Sequence, residues 1–277
     1  MKKRLMAAVL ALVLTAALSA SALAGETAVG VLDEAPRPMQ QENPWLEQCE
    51  LGSAAADALR VSGGTQLALL ETGALANDLN QGQITREMVD RVFTDPGRQL
   101  AKAEITPALL REMLECSVSH IQVDPATEQV EEDSLAFDGF CQISGFQFRY
   151  DASAPAGERV TDLWLEDGTR LDLADRQTRL TLTATVELLE GAYGFPAVEY
   201  VPMELSLSDA LADYVAQNTV LPQGETDRIQ VIGARQNTLV GYIPRVWLGL
   251  GIAALVVVLA VFRLRGKRWQ QEWGKEF

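Results

Sequence analysis

The feature that most constrains this chain is a long apolar run close to its C-terminus. Residues 246–262 contain no charged side chain in 17 positions. As a helix rising about 1.5 Å per residue, the run spans roughly 25 Å, near the lower limit for crossing a membrane. Arg245 precedes it, and four basic residues follow it: Arg263, Arg265, Lys267 and Arg268. Because cytoplasmic flanks carry an excess of Lys and Arg, we predict a transmembrane helix at 246–262 and a cytoplasmic basic tail at 263–277. A buried core helix is the alternative.

The other end of the chain has the pattern of a secretory signal peptide. Lys2, Lys3 and Arg4 precede an apolar run over residues 5–18, and Ala22-Leu23-Ala24 forms a small-x-small cleavage pattern. We therefore predict a signal peptide at 1–24, cleaved before Gly25, with an uncleaved anchor as the alternative. The two ends together predict a single-pass plasma-membrane protein whose N-terminal domain is extracytoplasmic.

The region between the two ends is strongly acidic. Residues 25–244 contain 14 Lys and Arg and 36 Asp and Glu, a net charge of −22. Such a surface repels phosphate, so the composition excludes nucleic-acid binding by a general basic face. His120 is the single histidine, which excludes a histidine-rich metal centre. We predict no catalytic residue, no metal site and no cofactor in this chain.

Three cysteines lie in the predicted extracytoplasmic part, namely Cys49, Cys116 and Cys141. An odd number cannot pair completely within one chain. We predict buried unpaired thiols, which behave as small hydrophobic side chains. A Cys116–Cys141 disulfide is the alternative.

Hydrophobic periodicity intermixes helices and strands between residues 44 and 233. Helices are predicted to begin at Asn43-Pro44, Thr85, Thr106-Pro107 and Ser208. Period-two strands are predicted at 66–70, 99–105, 140–150 with a break at Ser144-Gly145, 159–165, 180–186 and 229–232. This pattern predicts a single α+β domain at 44–233, with a mixed sheet and flanking helices. A polar linker is predicted before it at 25–43, and a juxtamembrane linker after it at 234–245.

The order of these elements, with several short motifs, resembles the C-terminal domain of bacterial 5′-nucleotidases, the family of UDP-sugar hydrolases and 2′,3′-cyclic phosphodiesterases. The motifs are Glu50-Leu51-Gly52, Ala56-Asp57-Ala58-Leu59-Arg60, Gly82-x-Ile84-Thr85, Glu104-Ile105-Thr106, Ile143-Ser144-Gly145, Gly194-Phe195-Pro196 and Asp227-Arg228-Ile229. The resemblance covers residues 45–232. It implies a nucleotide-binding domain that normally follows an N-terminal metallophosphatase domain. Because only residues 25–44 precede the match, we expect that catalytic domain to be missing.

The binding loops depart from the family pattern. Against the family's Asn-Gly-Gly-x-Ile-Arg loop, this chain has Glu71 for the Asn and Ala76 for the Arg. Against the Pro-Phe-Gly-Asn loop it has Asp95-Pro96-Gly97-Arg98, which lacks the stacking ring and introduces Arg98. The opposite stacking residue is kept as Phe195, beside Tyr193. A carboxylate repels phosphate and the guanidinium fork is lost, so we expect a neutral or cationic ligand, or none.

The resemblance implies a ligand cleft, formed by Glu71, Gly73, Arg98, Gly145, Tyr193 and Phe195. In the alternative interpretation, the two aromatic residues pack a loop and Arg98 is an ordinary surface charge.

Three functions remain open on the sequence. The first is a membrane-anchored, catalytically silent module that binds a nucleoside-like small molecule or a partner. The second is the substrate-binding half of a split nucleotidase, which works in nucleotide catabolism with a separate metallophosphatase subunit. The third is a structural envelope protein that keeps the fold as a scaffold.

Overall fold

The computed structural model describes residues 28–220 and 227–235. The predicted signal peptide at 1–24, the transmembrane helix at 246–262 and the basic tail at 263–277 lie outside this part of the chain. Within it, no helix is both long enough and apolar enough to span a membrane. The described residues belong to one compact unit and form the mixed α+β fold that the sequence predicts.

The strands form three sheets in the described residues. Their bounds are β1 Ala28–Leu32, β2 Leu67–Glu71, β3 Gly82–Thr85, β4 Gln99–Ile105, β5 Cys141–Ser144, β6 Phe146–Asp151, β7 Val160–Leu165, β8 Leu180–Thr185, β9 Tyr200–Ser206 and β10 Ile229–Ile232. The largest sheet has the order β5-β2-β8-β4-β9. In it β2 and β8 are parallel and the other pairs antiparallel, which makes it the mixed sheet that the sequence predicts.

Two smaller sheets complete the fold. Strand β6 lies between antiparallel β7 and parallel β10, and β1 pairs antiparallel with β3. The β1 pairing corrects the prediction of a linker at 25–43, because residues 28–32 are a strand and Leu32 is only 1% exposed. A run of five residues gives too weak a periodic signal beside a proline-containing segment to be recognised without its distant partner.

Five α-helices within residues 28–220 pack against the sheets, namely α1 Glu50–Gly63, α2 Arg86–Asp90, α3 Pro107–Ser117, α4 Val186–Leu189 and α5 Leu207–Gln217. Thr85 and Thr106 cap α2 and α3 as predicted, each accepting a hydrogen bond from the third helical N–H. The predicted start of α1 at Pro44 is wrong, since α1 begins six residues later, after Cys49. The cap of α5 is Ser206, two residues before the predicted Ser208.

The five-stranded sheet has a hydrophobic core on each face. One core contains Leu69, Ile105, Phe148 and Phe195 together with α3 and the three-stranded sheet. The other contains Leu59, Leu70 and Leu211 together with α1 and α5. Alternate residues of β2 point into opposite cores, as the twofold side-chain period of a strand requires.

The three cysteines are free, as predicted, and the alternative of a Cys116–Cys141 disulfide is wrong. Cys49 and Cys141 are buried, and Cys116 is half-buried. Burial raises the pKa of the Cys49 thiol to about 12, and it raises the pKa of Cys141 well above its usual range. These two thiols therefore stay protonated at neutral pH and serve as packing groups.

Candidate functional site

Three of the six predicted site residues meet at one place. Glu71 ends the central strand β2, Arg98 lies in the loop just before β4, and Tyr193 lies in the short turn after α4. Arg98 forms an ion pair with Glu71 through Nη1, and the neighbouring Tyr193 side chain helps to raise the pKa of Arg98. The neighbouring strands β2, β8 and β4 thus bring these groups together although they are far apart in sequence.

Glu71 is fully buried, and its carboxylate is satisfied by two partners. Besides Arg98, the Thr185 hydroxyl donates to Oε1 at 3.1 Å and to Oε2 at 3.2 Å. Burial raises the pKa of Glu71, and the Arg98 charge and the Thr185 hydrogen bond offset part of that shift. The sequence alone suggested an uncompensated repulsive charge at this position, whereas the carboxylate is half of an ion pair.

Arg98 is the more accessible half of that pair, with its side chain 18% exposed. Burial lowers its pKa, but the Glu71 carboxylate and the neighbouring Tyr193 side chain raise it by more. Arg98 therefore stays charged, and the alternative of an ordinary surface charge does not describe it. Two departures from the family pattern, Glu71 and Arg98, compensate each other.

Gly73 lies beside this pair in a tight backbone crossing. Its N–H donates to the Asp138 carbonyl at 2.9 Å, and a Cβ at this position would come within 2.4 Å of the Asp138 Cβ. The glycine is thus required by contact with residue 138. Gly73 is therefore needed for packing within the chain, and not for bringing the backbone close to a ligand.

The two aromatic residues of the predicted cleft have different environments. Phe195 is 4% exposed and belongs to the core beneath the sheet, so it packs the loop as the alternative interpretation predicts. Tyr193 is half-buried and has a left-handed backbone with φ of 57°. Such a conformation costs a non-glycine residue about 1–2 kcal/mol and persists only where its surroundings fix it. The Tyr193 carbonyl accepts a hydrogen bond from the Cys116 thiol at 3.5 Å.

Gly145 lies at the opposite end of the sheet from Glu71. The β2–β5 register pairs Ser144 with Ala68 and Cys141 with Glu71, so about 15 Å of strand separates Gly145 from the ion pair. A Cβ on Gly145 would lie 2.0 Å from the Gln66 carbonyl oxygen. The glycine has φ of 86° and forms the turn between β5 and β6. The structure does not bring it into the predicted cleft.

Sequence reasoning missed two rings next to Tyr193. Phe137 meets Tyr193 edge to face at 6.1 Å, and His120 stacks on Phe137 with ring centroids 3.9 Å apart. His120 follows the end of α3 and is exposed. Phe137 lies in the loop before β5, where no periodic pattern marks it. The result is an aromatic surface beside a charge-neutral ion pair.

The residues that carry the resemblance form a buried network of their own. Arg228 binds Asp57 through both terminal nitrogens, at 2.9 and 3.2 Å. Ser144 donates to Asp57, and the Arg60 Nε donates to Ser144 Oγ at 2.7 Å. These contacts join α1, the end of β5 and the segment before β10. The motifs therefore encode the fold rather than the ligand site.

The described residues contain no group of three or more His, Cys, Asp and Glu side chains that is able to hold a metal ion. The donor set of the dimetal centre that the family implies for its other domain does not fit this part of the chain. We derive no hydrolytic step for these residues.

The comparisons with known proteins identify the family. The model of the family described as 5′-nucleotidase, C-terminal domain, matches residues 25–199. Because this match covers more than half of the sequence, the chain belongs to that family. No curated protein matches the chain significantly.

Several solved structures share the fold. The 5′-nucleotidase precursor from Thermus thermophilus aligns with a TM-score of 0.63 and 22% identity, over 80% of this chain and 43% of that one. The putative 5′-nucleotidase from Staphylococcus aureus, solved with alpha-ketoglutarate, has a TM-score of 0.62 and 14% identity, over 75% and 41%. Haemophilus influenzae NAD nucleotidase has a TM-score of 0.61 and 14% identity, over 79% and 40%. The chain thus spans about two-fifths of the length of each neighbour.

Proposed function

We propose that this chain is a catalytically silent ligand-binding module of the 5′-nucleotidase C-terminal family. Its C-terminal apolar run anchors the module to the outer side of the plasma membrane. The observation that carries the proposal is the Glu71–Arg98–Tyr193 arrangement. It lies in the loops that the family resemblance assigns to the ligand, and it is held by buried groups. Buried charges are kept where they are paired, and the pairing here orients Arg98 and Tyr193.

The ligand that best suits this arrangement is uncharged, aromatic and nucleoside-like. The Glu71 and Arg98 charges cancel, so the pair offers little attraction for a phosphate dianion. The rings of Tyr193, Phe137 and His120 provide stacking faces, and one base stacked on an aromatic ring contributes about 1–3 kcal/mol. A nucleoside therefore fits this surface better than the corresponding nucleotide.

Calorimetric titration of the purified chain tests this proposal. We expect adenosine or uridine to bind, and the corresponding monophosphate to bind no more tightly. Tyr193→Ala is expected to weaken binding at least tenfold, since it removes the stacking ring beside Arg98. Tyr200→Ala is the matched control, because Tyr200 bonds Glu190 at 2.7 Å on an exposed surface. Equal effects of the two variants, or no nucleoside binding, contradict the proposal.

The second candidate is the substrate-binding half of a split nucleotidase. It is supported by family membership and by solved neighbours named as nucleotidases that are more than twice the length matched here. The pure chain with Mn²⁺, Co²⁺ or Zn²⁺ is expected not to hydrolyse AMP under either candidate. Turnover that requires both this chain and a separate metallophosphatase subunit would favour the second candidate.

A further inference from the structure

Arg159 is a buried cation without an acidic partner. Two arginines in the described residues are more than nine-tenths buried, Arg159 and Arg228, each 6% exposed. Arg228 is neutralised by two contacts with Asp57. No carboxylate of the described residues lies within 4.0 Å of the Arg159 guanidinium. Because burying a charge is unfavourable unless it is paired, Arg159 needs a separate explanation.

The Arg159 side chain is fixed by main-chain carbonyls. Its Nε donates to the Ala154 oxygen at 2.9 Å, and Nη1 donates to the Val118 oxygen. Nη2 finds no acceptor among the described residues, and it is not sealed from solvent. The Nη2 edge of this fixed guanidinium can therefore still donate hydrogen bonds.

The nearest carboxylate, Glu115, is already engaged elsewhere. It accepts the backbone N–H groups of Arg159 at 3.0 Å and Val160 at 2.8 Å, and it lies 3.8 Å from Arg111. Burial lowers the pKa of Arg159, and the negative charges of Glu115 and Asp151 offset this only in part. The positive charge of Arg159 is therefore only partly neutralised by the acidic groups around it.

Arg159 lines a hollow of about 800 Å³ at the end of the β6–β7 hairpin. Gln122, Ser153, Glu128, Glu131 and Arg235 contribute to the same wall. Glu128 accepts a hydrogen bond from Arg235 at 3.0 Å, whereas the Glu131 side chain has no ion pair among the described residues. None of these groups belongs to the Glu71–Arg98–Tyr193 arrangement.

We propose that this hollow is a second binding site, which takes a small ligand through a single carboxylate held by Arg159. The guanidinium fork matches the two oxygens of a carboxylate, and such charge-assisted hydrogen bonds are among the strong ones. The carboxylates of Glu131 and Asp151 nearby oppose a second negative charge. A monoanion is accordingly preferred to a phosphate dianion, and the ligand's charge replaces the missing partner of Arg159.

A ligand-observed NMR titration of the full-length chain at pH 8 tests this site with three probes. N-acetylglycine carries the carboxylate, N-acetylglycinamide has the same shape without the charge, and inorganic phosphate is the dianion. We expect the acid to bind, the amide to bind at least tenfold more weakly, and phosphate to bind more weakly than the acid. Amide binding equal to that of the acid, or no binding of the acid, overturns the proposal.

Two kinds of variant locate the binding. Arg159→Lys keeps the charge but loses the fork, and it is expected to weaken N-acetylglycine binding at least tenfold. Because Arg159 is buried and this variant can misfold, Glu131→Gln at the exposed rim provides an independent measurement. Removing one carboxylate there is expected to tighten binding about two- to threefold. Glu132→Gln is the matched control, an exposed neighbour that does not line the hollow, and equal affinities of the two glutamine variants contradict the site.

Discussion

At the scale of single residues, the Glu71–Arg98 pair decides the character of the candidate site. The pair is favourable only while both charges are present. A buried ion pair is about as stable as two apolar groups of similar size, whereas a single buried charge is strongly unfavourable. Each residue therefore requires the other. Tyr193 neighbours the same guanidinium, so loss of Arg98 is expected to affect both the stability and the shape of the site.

A double-mutant cycle measures this dependence. Arg98→Met is expected to destabilise the domain by about 3 kcal/mol, because Glu71 then remains buried without its countercharge. Glu71→Gln combined with Arg98→Met is expected to recover most of that loss. Urea denaturation supplies the free energies of unfolding. Arg91→Met serves as the control, since Arg91 pairs with Glu87 on an exposed helix face and such pairs contribute less than about 1 kcal/mol. A double variant less stable than Arg98→Met contradicts the pairing.

Glu42 provides a pH-dependent contribution to stability. Its side chain is 5% exposed, bonds the Glu50 N–H and lies 3.2 Å from Arg37. Burial raises its pKa from 4.5 to about 7, with opposing effects from the Glu50 N–H and Arg37. The folded chain therefore holds this proton more tightly than the unfolded chain does. The associated stabilisation is complete below pH 4.5 and is lost as the pH rises to about 7.

Glu42→Gln keeps the acceptor oxygen and removes the titration. As the pH rises from about 4.5 to 8, the Tm of the variant is expected to increase relative to the Tm of the wild type. Glu34→Gln, at an exposed position, is expected to show no such trend. A constant difference for Glu42→Gln across this pH range contradicts the assignment.

At the scale of elements, the sequence correctly predicted those helix starts and strands that depend only on nearby residues. Thr85 and Thr106 bond the N–H groups of their own helices, and β4 shows a clear alternation of exposed and buried residues. Strand β9 went unrecognised because Pro202 interrupts it, as an edge strand allows. The start of α1 was misplaced because its N-terminus is fixed by the Cys49 thiol and by the Glu42 carboxylate, which are not the usual capping groups.

Strand β10 depends on a contact that spans the sequence. Arg228, next to its first residue, is held by Asp57 of α1 in a buried bidentate pair. Arg228→Met leaves Asp57 uncompensated, and it is expected to cost about 3–5 kcal/mol. Hydrogen exchange of the β10 amides should accelerate in the same variant. Arg170→Met is the control, since Arg170 pairs with Asp162 of β7, on the side of the same sheet away from β10. Equal exchange in both variants contradicts the role of the Arg228–Asp57 pair.

At the scale of the whole molecule, the fold was more predictable than the site for a physical reason. The motifs behind the resemblance, around Asp57, Ser144 and Arg228, form the buried network that joins the helices and sheets. Their order therefore specifies the architecture. The site depends on loops, where Glu71 meets Arg98 and Phe137 meets Tyr193 only after the strands have assembled. Gly145 was misplaced for the same reason, because it serves a turn rather than a ligand contact.

The acidic character and the apolar run at 246–262 lead to a prediction about where the chain resides. A surface with a net charge of −22 over residues 25–244 has no electrostatic attraction to anionic lipid. The proposed membrane association would then depend on the apolar run, because burial of such a run in lipid is strongly favourable. Deletion of residues 244–277 is expected to move the chain from the carbonate-resistant membrane fraction to the soluble fraction. Deletion of 263–277 alone keeps the run and is expected to leave the chain in the membrane. If the longer deletion also remains in the membrane fraction, a different part of the molecule anchors it.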